Sequence, residues 1–222
     1  MVAIGIVGSG PEELLPDLSL YQPHIDIWIG ADRGAWFLYS HGFQMDYAVG
    51  DFDSLETEKR KILTKQVPHM DVYPIEKDKT DIEIALLKAL QLQPNKIYLF
   101  GVTGGRLDHE LINIQLLHTI IAKNIKGYIV DIHNKMSLTK PGKHIVNHDE
   151  NYPYISFIPF TSLVKGLTLQ GFYYPLENET IEWGSTLCIS NKLVANSGTS
   201  SYKEGILLCI KSRDARSHPI PL

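Results

Sequence analysis

Short apolar runs alternate with amphipathic stretches through the first half of the chain, and this alternation is the strongest constraint on the fold that the chain can adopt. Runs such as VAIGIVG, HIDIWIG and KIYLFG have the character of strands, whereas RGAWFLYSHG and TDIEIALLKALQLQ have helical spacing. Strands joined through helices at this spacing form βαβ units with right-handed crossovers and a parallel sheet. The pattern predicts an α/β fold whose N-terminal part is a mostly parallel sheet flanked by helices.

Local signals support three of these helices. Thr80 followed by Glu83 has the spacing of a capping box, and Ser54 is a candidate cap for the stretch that follows it. Leucines and isoleucines recur at helical spacing in RLDHELINIQLLHTIIAKN, from Leu107 to Ile121, which predicts one long helix.

The pattern changes near Asn134, where helical periodicity fades. Six short runs predict strands: KMSLTK, KHIVNHD, YPYISFIPF, VKGLTLQGF, STLCISN and GILLCIKS. PGK, NET, EWGS and NSGTS separate them as turns, and this arrangement favours a β-sandwich or barrel. We therefore expect an α/β domain over residues 1–135 and an all-β sandwich domain over residues 136–222.

Composition excludes some classes of partner. The chain has 222 residues, a net charge of −4 and no basic run, which argues against a nucleic-acid partner. Its first apolar run is far shorter than a membrane span and lacks a basic flank, so we expect no membrane association and a cytoplasmic location. Cys188 and Cys209 lie in apolar runs and are expected to be core residues.

Acidic residues follow the apolar runs of the first half. Asp32 comes after IDIWIGA, Asp51 and Asp53 follow DYAVG, Asp81 lies beyond DVYPI, and Asp108 lies beyond KIYLFG. The carboxyl ends of parallel strands share one edge of a sheet, so these acids are expected to converge. Neighbouring carboxylates repel one another unless a cation lies between them, and Mg²⁺ with a polyphosphate is a common solution. The sequence therefore predicts phosphoryl or pyrophosphoryl transfer.

Cationic and flexible residues accompany these acids. Lys79 and Arg106 are suited to phosphate oxygens, and the Gly104–Gly105 pair lets a backbone turn approach an anion closely. Each feature alone has an ordinary structural explanation. An acid at the start of a helix commonly acts as a cap, and a lysine side chain is commonly solvated at the surface. Acids at four successive strand ends make the functional interpretation the stronger one. GSGP near the start lacks the third glycine of a dinucleotide fingerprint, which argues against a nicotinamide cofactor.

Four segments in this order, GADRGA, GDFDS, DKTDIEIAL and GVTGGRLDHELIN, resemble the thiamine pyrophosphokinase family, as do ISN and SYKEGILLCIKS near the end. The resemblance implies an α/β N-terminal domain, a C-terminal β-sandwich and a homodimer. It also implies transfer of the pyrophosphoryl group of ATP to the hydroxyl of thiamine, with Mg²⁺ required and thiamine diphosphate and AMP as products.

The resemblance also implies roles for individual residues. Asp51, Asp53 and Asp81 would hold Mg²⁺ or the reacting hydroxyl and, with Arg106, form the catalytic set. The ATP site would comprise Asp32, Arg33, Lys79, Gly104, Gly105, Arg106 and Asp108. Ser190 and Asn191, which belong to the sandwich domain, would contact the pyrimidine ring of thiamine. Tyr202 and Trp183 are alternative candidates for the aromatic side chain that stacks on thiamine. Asp81 is the favoured candidate for contact with the thiamine hydroxyl.

Two other functions stay open from the residues alone. A metal-dependent phosphoesterase acting on a small phosphorylated metabolite would use the same acids, with Asp108 and His109 activating water. A non-catalytic sensor would bind ATP or thiamine without needing Asp51 and Asp53, and the intact acid set argues against it.

Overall fold

The computed structural model describes residues 1–74, 76 and 78–215. The chain divides into two compact units, Met1–Ile132 and His133–Leu222. Among the described residues, no helix combines the length and the apolar composition that crossing a bilayer requires.

The first unit contains a parallel sheet whose strands lie in the order β4-β3-β2-β1-β5-β6. The strands are β1 (Ala3–Val7), β2 (Ile27–Ala31), β3 (Tyr47–Gly50), β4 (His69–Val72), β5 (Lys96–Phe100) and β6 (Lys126–Val130). The order of strands reverses beside β1, because β2 pairs with one of its edges and β5 with the other. In open α/β sheets, ligands bind at the carboxyl ends of the strands beside such a reversal.

Helices follow the strands as the alternation predicted, so the α/β fold is confirmed. They are α1 (Arg33–Ser40), α2 (Thr57–Gln66), α3 (Asp81–Gln91) and α4 (Leu107–Ala122), and short 3-10 turns lie between β1 and β2. The apolar residues of the sheet are shielded from solvent. Every residue of β1 is buried, and Ile29, Ile97 and Leu99 are fully inaccessible to solvent. Burial of these branched side chains is the main favourable contribution to folding of this unit.

Three local features refine the sequence interpretation. Thr80 caps α3 as predicted, since its hydroxyl accepts a hydrogen bond from the Glu83 amide at 3.2 Å. Ser54 does not cap a helix, because α2 begins three residues later and the Ser54 hydroxyl donates to Asp32 instead. The long helix α4 buries Asn113, Leu116, Leu117 and Ile120 and leaves Leu107 exposed, so its buried face is rotated from the predicted apolar row.

The second unit consists of two antiparallel sheets, in the orders β7-β13-β9 and β11-β10-β12-β8. Its strands are β7 (Asn134–Thr139), β8 (Gly142–Asn147), β9 (Tyr154–Pro159), β10 (Leu163–Gln170), β11 (Leu176–Glu182), β12 (Ser197–Tyr202) and β13 (Leu207–Ser212). Residues of both sheets, among them Phe157, Leu167 and Leu207, share one apolar cluster. This arrangement is the predicted all-β sandwich.

Strand assignment in the second unit was partly wrong. STLCISN, predicted as a strand, forms turns, whereas the predicted turns NET and NSGTS lie in or at the start of β11 and β12. The apolar pattern misleads here because β11 is a mostly exposed edge strand, and β12 buries small residues such as Gly198 and Ser200. Cys188 is buried in the core as predicted, and burial raises the pKa of its thiol to about 11.

Candidate active site

A cavity of about 690 Å³ opens in the first unit at the carboxyl edge of the sheet. Its walls come from the loops after β1, β2, β3 and β5 and from the start of α3, on both sides of the point where the strand order reverses. Six of the predicted site residues line it: Asp32, Asp51, Lys79, Asp81, Gly105 and Arg106. This volume is in the range of cavities that bind small metabolites.

Three carboxylates form a cluster in this region. Asp32, Asp51 and Asp53 each present an oxygen, and these oxygens lie within 4.8 Å of one another. The Asp32 Oδ1 atom is buried and accepts no hydrogen bond from the described residues. Clustered carboxylate oxygens with an unsatisfied acceptor fit a hard divalent cation such as Mg²⁺.

This carboxylate cluster differs in one member from the predicted metal set of Asp51, Asp53 and Asp81. Asp81 lies at the start of α3 and lines the cavity, yet it is outside the group of oxygens that share the short separations. Its negative charge is near enough to Asp32 to affect the titration of that residue. Asp81 therefore faces the cavity beside the cluster.

Asp32 occupies an unusual backbone conformation, with φ of 49° and ψ of −119° at the N-cap position of α1. Its Oδ2 atom accepts hydrogen bonds from Ser54 Oγ at 2.8 Å and from Ser9 Oγ at 3.3 Å. Burial raises the pKa of the Asp32 carboxyl, and the charges of Asp81 and Asp51 add to this increase, while the bond from Ser54 opposes it. A strained backbone and a raised carboxyl pKa are both typical of functional sites.

The turn after β3 explains how two acids separated by one residue lie on the same side of the chain. Phe52 has a φ of 57°, in the left-handed region, and its ring is 1% exposed. Because the buried ring anchors this turn, Asp51 and Asp53 are held on one side, and the Asp53 amide donates to Asp51 Oδ1 at 3.1 Å. The sequence indicated the two acids, and the only signal for Phe52 was its position between them.

The cationic residues have acidic partners. Arg106 forms a two-pronged contact with Asp108, with Nε to Oδ1 at 3.1 Å, and both side chains are exposed. The hydrogen bond from Arg106 lowers the pKa of the Asp108 carboxyl. Asp108 therefore faces Arg106, whereas Asp32, Asp51 and Asp81 line the cavity and Asp53 belongs to the carboxylate cluster. Lys79 pairs with Glu83, with Nζ to Oε1 at 3.1 Å.

The remaining predicted ATP-site residues are Gly104, Gly105 and Arg33. Gly104 has a φ of 81°, and a Cβ added there would collide with the Leu14 side chain, so this position requires glycine. Gly105 lines the cavity itself. Arg33 begins α1, and its amide donates to Ser9 Oγ at 3.1 Å, so its backbone belongs to the network around Asp32.

In the second unit, the side chain of Asn191 is engaged with backbone groups. It is 2% exposed. Its Oδ1 atom accepts from the amides of Tyr174 at 3.0 Å and Lys192 at 2.8 Å, and its Nδ2 atom donates to the Tyr174 carbonyl at 2.8 Å. Ser190 has a φ of 56°, and its amide donates to Ser156 Oγ. Asn191 thus fixes the backbone of an exposed tyrosine that the sequence interpretation missed.

Exposed aromatic rings distinguish the two stacking alternatives. Tyr202 is 4% exposed, belongs to the apolar core and shares a hydrogen bond of 2.9 Å with Thr139 Oγ1, so its ring is not free to stack on a ligand. Trp183 is 69% exposed, and the neighbouring rings of Tyr173 and Tyr174 are 65% and 60% exposed. These three rings are therefore open to contact from outside the second unit.

Comparison with protein families gives two matches along the chain. Residues 18–129 match the catalytic domain of thiamin pyrophosphokinase. Residues 143–207 match the vitamin B1 binding domain of thiamin pyrophosphokinase.

Individual relatives agree with these matches. The chain is 47% identical to the thiamine pyrophosphokinase of Bacillus subtilis, over 96% of this chain and 100% of that protein. The crystal structure of thiamine pyrophosphokinase from Bacillus subtilis matches with a TM-score of 0.90 over 96% of this chain and 100% of that one, at 46% identity. The structure from Geobacillus thermodenitrificans matches with a TM-score of 0.88 at 48% identity, over 97% and 99%. The phosphoesterase and the sensor that the sequence left open receive no support from these relatives.

Proposed function

The chain belongs to the thiamine pyrophosphokinase family, and from that premise we propose that it transfers the pyrophosphoryl group of ATP to the hydroxyl of thiamine, giving thiamine diphosphate and AMP. One observation carries the proposal beyond the family relationship. Three carboxylates cluster beside a cavity lined by two cationic side chains, and one of their oxygens, Asp32 Oδ1, is buried without a hydrogen-bond partner among the described residues.

We propose that Asp32, Asp51 and Asp53 hold Mg²⁺ in this cavity. The bound ion would neutralise charge on the polyphosphate, and Mg²⁺ prefers a few carboxylates while leaving positions for phosphate oxygens. The Asp32 Oδ1 atom supports this role, because a buried acceptor that receives no hydrogen bond is costly unless a cation satisfies it. The raised pKa of Asp32 points the same way, since a cation would stabilise the charged carboxylate.

Arg106 and Lys79 supply the positive charge for the phosphate chain. Both line the cavity, and both are held by acidic partners, Asp108 and Glu83, which keep the long side chains oriented. A guanidinium has donors enough to keep one carboxylate and still bind a phosphate oxygen. Gly105, also at the cavity wall, allows close approach of an anion to the backbone.

We propose that Asp81 meets the hydroxyl of thiamine. It lines the cavity beside the carboxylate cluster without belonging to it, so it is not one of the proposed ligands of the ion. A carboxylate within hydrogen-bond reach of the attacking alcohol can orient it and accept its proton. Positioning of the alcohol against the polyphosphate supplies most of the rate acceleration in reactions of this type.

The second unit is proposed to contribute thiamine recognition, in keeping with the division into an ATP-binding domain over 1–135 and a thiamine-binding domain over 136–222. Ser190 and Asn191 are proposed to form part of that surface, with Asn191 acting through the backbone of Tyr174. Exposed aromatic rings such as Tyr174 and Trp183 suit the positively charged thiazolium ring. The homodimer implied by the resemblance and the cytoplasmic location stay predictions.

Incubation of the purified protein with ATP, Mg²⁺ and thiamine, followed by chromatography, tests the proposal. We expect thiamine diphosphate and AMP in equal amounts, and no AMP when thiamine is left out. Release of inorganic phosphate in the absence of thiamine would indicate a phosphoesterase instead.

A further inference from the structure

The loop from Gly101 to Arg106, called here the 101–106 loop, brings Gly105 and Arg106 to the cavity. It follows β5 and has no regular secondary structure, so its backbone polar groups need partners from elsewhere. The loop after β1 supplies one contact, because the Gly10 amide donates to the Gly101 carbonyl at 2.8 Å.

Side chains hold the next three residues of this loop, one after another. The Val102 carbonyl accepts from Asn113 Nδ2, the Thr103 hydroxyl donates to Asp131 Oδ2, and the Gly104 amide donates to Glu110 Oε2. Each of these three distances is 2.9 Å. Glu110 and Asn113 are three residues apart on α4 and therefore share a face of that helix, whereas Asp131 comes directly after β6.

Two of these three bonds are buried. Asn113, Thr103 and Asp131 are 6%, 6% and 5% exposed, so their polar groups are shielded from water. Buried hydrogen bonds with both partners satisfied are strongly directional constraints, and breaking one leaves an unpaired polar group. The bond to Glu110 lies nearer the surface.

We propose that Asn113 and Asp131, assisted by Glu110, are positioning residues that fix the 101–106 loop for the phosphate chain of ATP. This inference rests on the proposed pyrophosphoryl transfer. The three side chains come from α4 and from the end of β6, so they fix the position and orientation of the loop relative to these elements before substrate binds. A loop fixed in this way presents Gly105 and Arg106 without the entropy loss of ordering it on binding.

A matched pair at Thr103 separates positioning from simple core stability. Thr103→Ser keeps the hydroxyl that Asp131 accepts, whereas Thr103→Val keeps the shape and removes the donor. We expect kcat/KM for ATP to fall about tenfold in T103V and to stay near wild type in T103S, because small misplacements of binding groups are costly. KM for thiamine should be unchanged in both variants.

Asn113→Asp tests the second contact, since a carboxylate cannot donate to the Val102 carbonyl. We expect a loss at least as large as in T103V, again confined to ATP. Ile129→Val is the control, because Ile129 lies in β6, is fully buried and has no hydrogen bond to the loop. It should lower the melting temperature and leave kcat/KM for ATP unchanged.

Glu110→Ala changes a residue nearer the surface, so this variant keeps the test open if T103V or N113D fails to fold. We expect kcat/KM for ATP to fall about threefold in E110A.

The proposal is overturned if T103V, N113D and E110A keep the kcat/KM for ATP of the wild type while their melting temperatures fall as in I129V. These bonds would then have a purely structural role. If the wild-type protein makes no thiamine diphosphate, the proposed function fails separately. In that case calorimetric affinity for ATP decides the role of the loop: weaker binding by T103V than by T103S supports it, and equal binding overturns it.

Discussion

The cavity of the first unit and the segment around Ser190–Asn191 of the second unit position functional groups in different ways. In the first unit, acids project from loops at the ends of parallel strands and reach one edge of the sheet. In the second unit, a buried amide inside an irregular segment holds the backbone of an exposed tyrosine. Residue type therefore points to function directly in the first region, whereas in the second region the support from Asn191 is visible only in the structure.

The largest effect is expected at the carboxylate cluster, which is proposed to contact the ion directly. Asp51→Asn and Asp53→Asn should lower kcat by about 10³-fold, because each removes a negative ligand from the cluster. Circular dichroism should show an intact fold. Glu58→Gln, on the exposed surface of α2, is the control for loss of a charge. Near-normal turnover in either aspartate variant would remove the metal role from this cluster.

Asn191 tests the indirect mode of the second unit. Asn191→Ala leaves the amide and carbonyl of Tyr174 without their partners, at a cost of about 1–3 kcal/mol in the free energy of unfolding. We expect KM for thiamine to rise while KM for ATP is unchanged, measured by steady-state kinetics alongside urea unfolding. Asn191→Asp keeps the acceptor for the Tyr174 amide but places a buried carboxylate against the Tyr174 carbonyl, so it should be no milder than Asn191→Ala. A rise in KM for ATP instead would contradict the assignment of this segment to thiamine.

Gly104 and Gly105 sharpen the comparison within the first unit. Gly104→Ala places a Cβ against Leu14 in a left-handed conformation, so a loss of about 1–3 kcal/mol in unfolding free energy is expected. Gly105→Ala meets no atom within 4 Å and should cost far less, which makes it the matched control for stability. Equal destabilisation by the two changes, measured in denaturant, would mean that the loop relaxes freely.

The smallest effect concerns the ionisation of Asp32. Its pKa is raised in the folded state, so the charged carboxylate weakens the metal-free fold at neutral pH, and this penalty disappears as pH falls through the raised pKa towards 3.8. Asp32→Asn should therefore raise the melting temperature of the metal-free protein at pH 7, with a difference that shrinks in acid. Added Mg²⁺ should stabilise the wild type more than the variant. A variant that gains as much as wild type from Mg²⁺ would exclude Asp32 from the ion site.

Sequence reasoning was most successful where periodicity and residue type coincide. Apolar runs of β1, β2 and β5 predicted the parallel sheet, and acids at the strand ends predicted which loops would meet. The membership of the carboxylate cluster was harder to predict, because it depends on turn geometry. Asp32 joins Asp51 and Asp53 through its strained backbone, and nothing in residue spacing separates it from Asp81.

The second unit was less accessible to such reasoning. Its strands β11 and β12 carry exposed or small residues, so they lack the apolar alternation by which strands are recognised. The contacts of Asn191 and Asn113 were equally hidden, since an asparagine that binds a backbone carbonyl inside a protein has the same one-letter code as one on a surface turn.

The pairing of β1 with β5 has a consequence for synthesis of the protein. Asp32, Asp51, Asp53 and Asp81 all precede β5 in the chain, yet the loop that completes their cavity follows it. A nascent chain that ends after α3 would contain these four mutually repelling acids with β2 but without β5, the second strand that pairs with β1. Contacts between segments so far apart in sequence form slowly, so we expect the catalytic pocket to mature only after ribosomes have released the middle of the polypeptide.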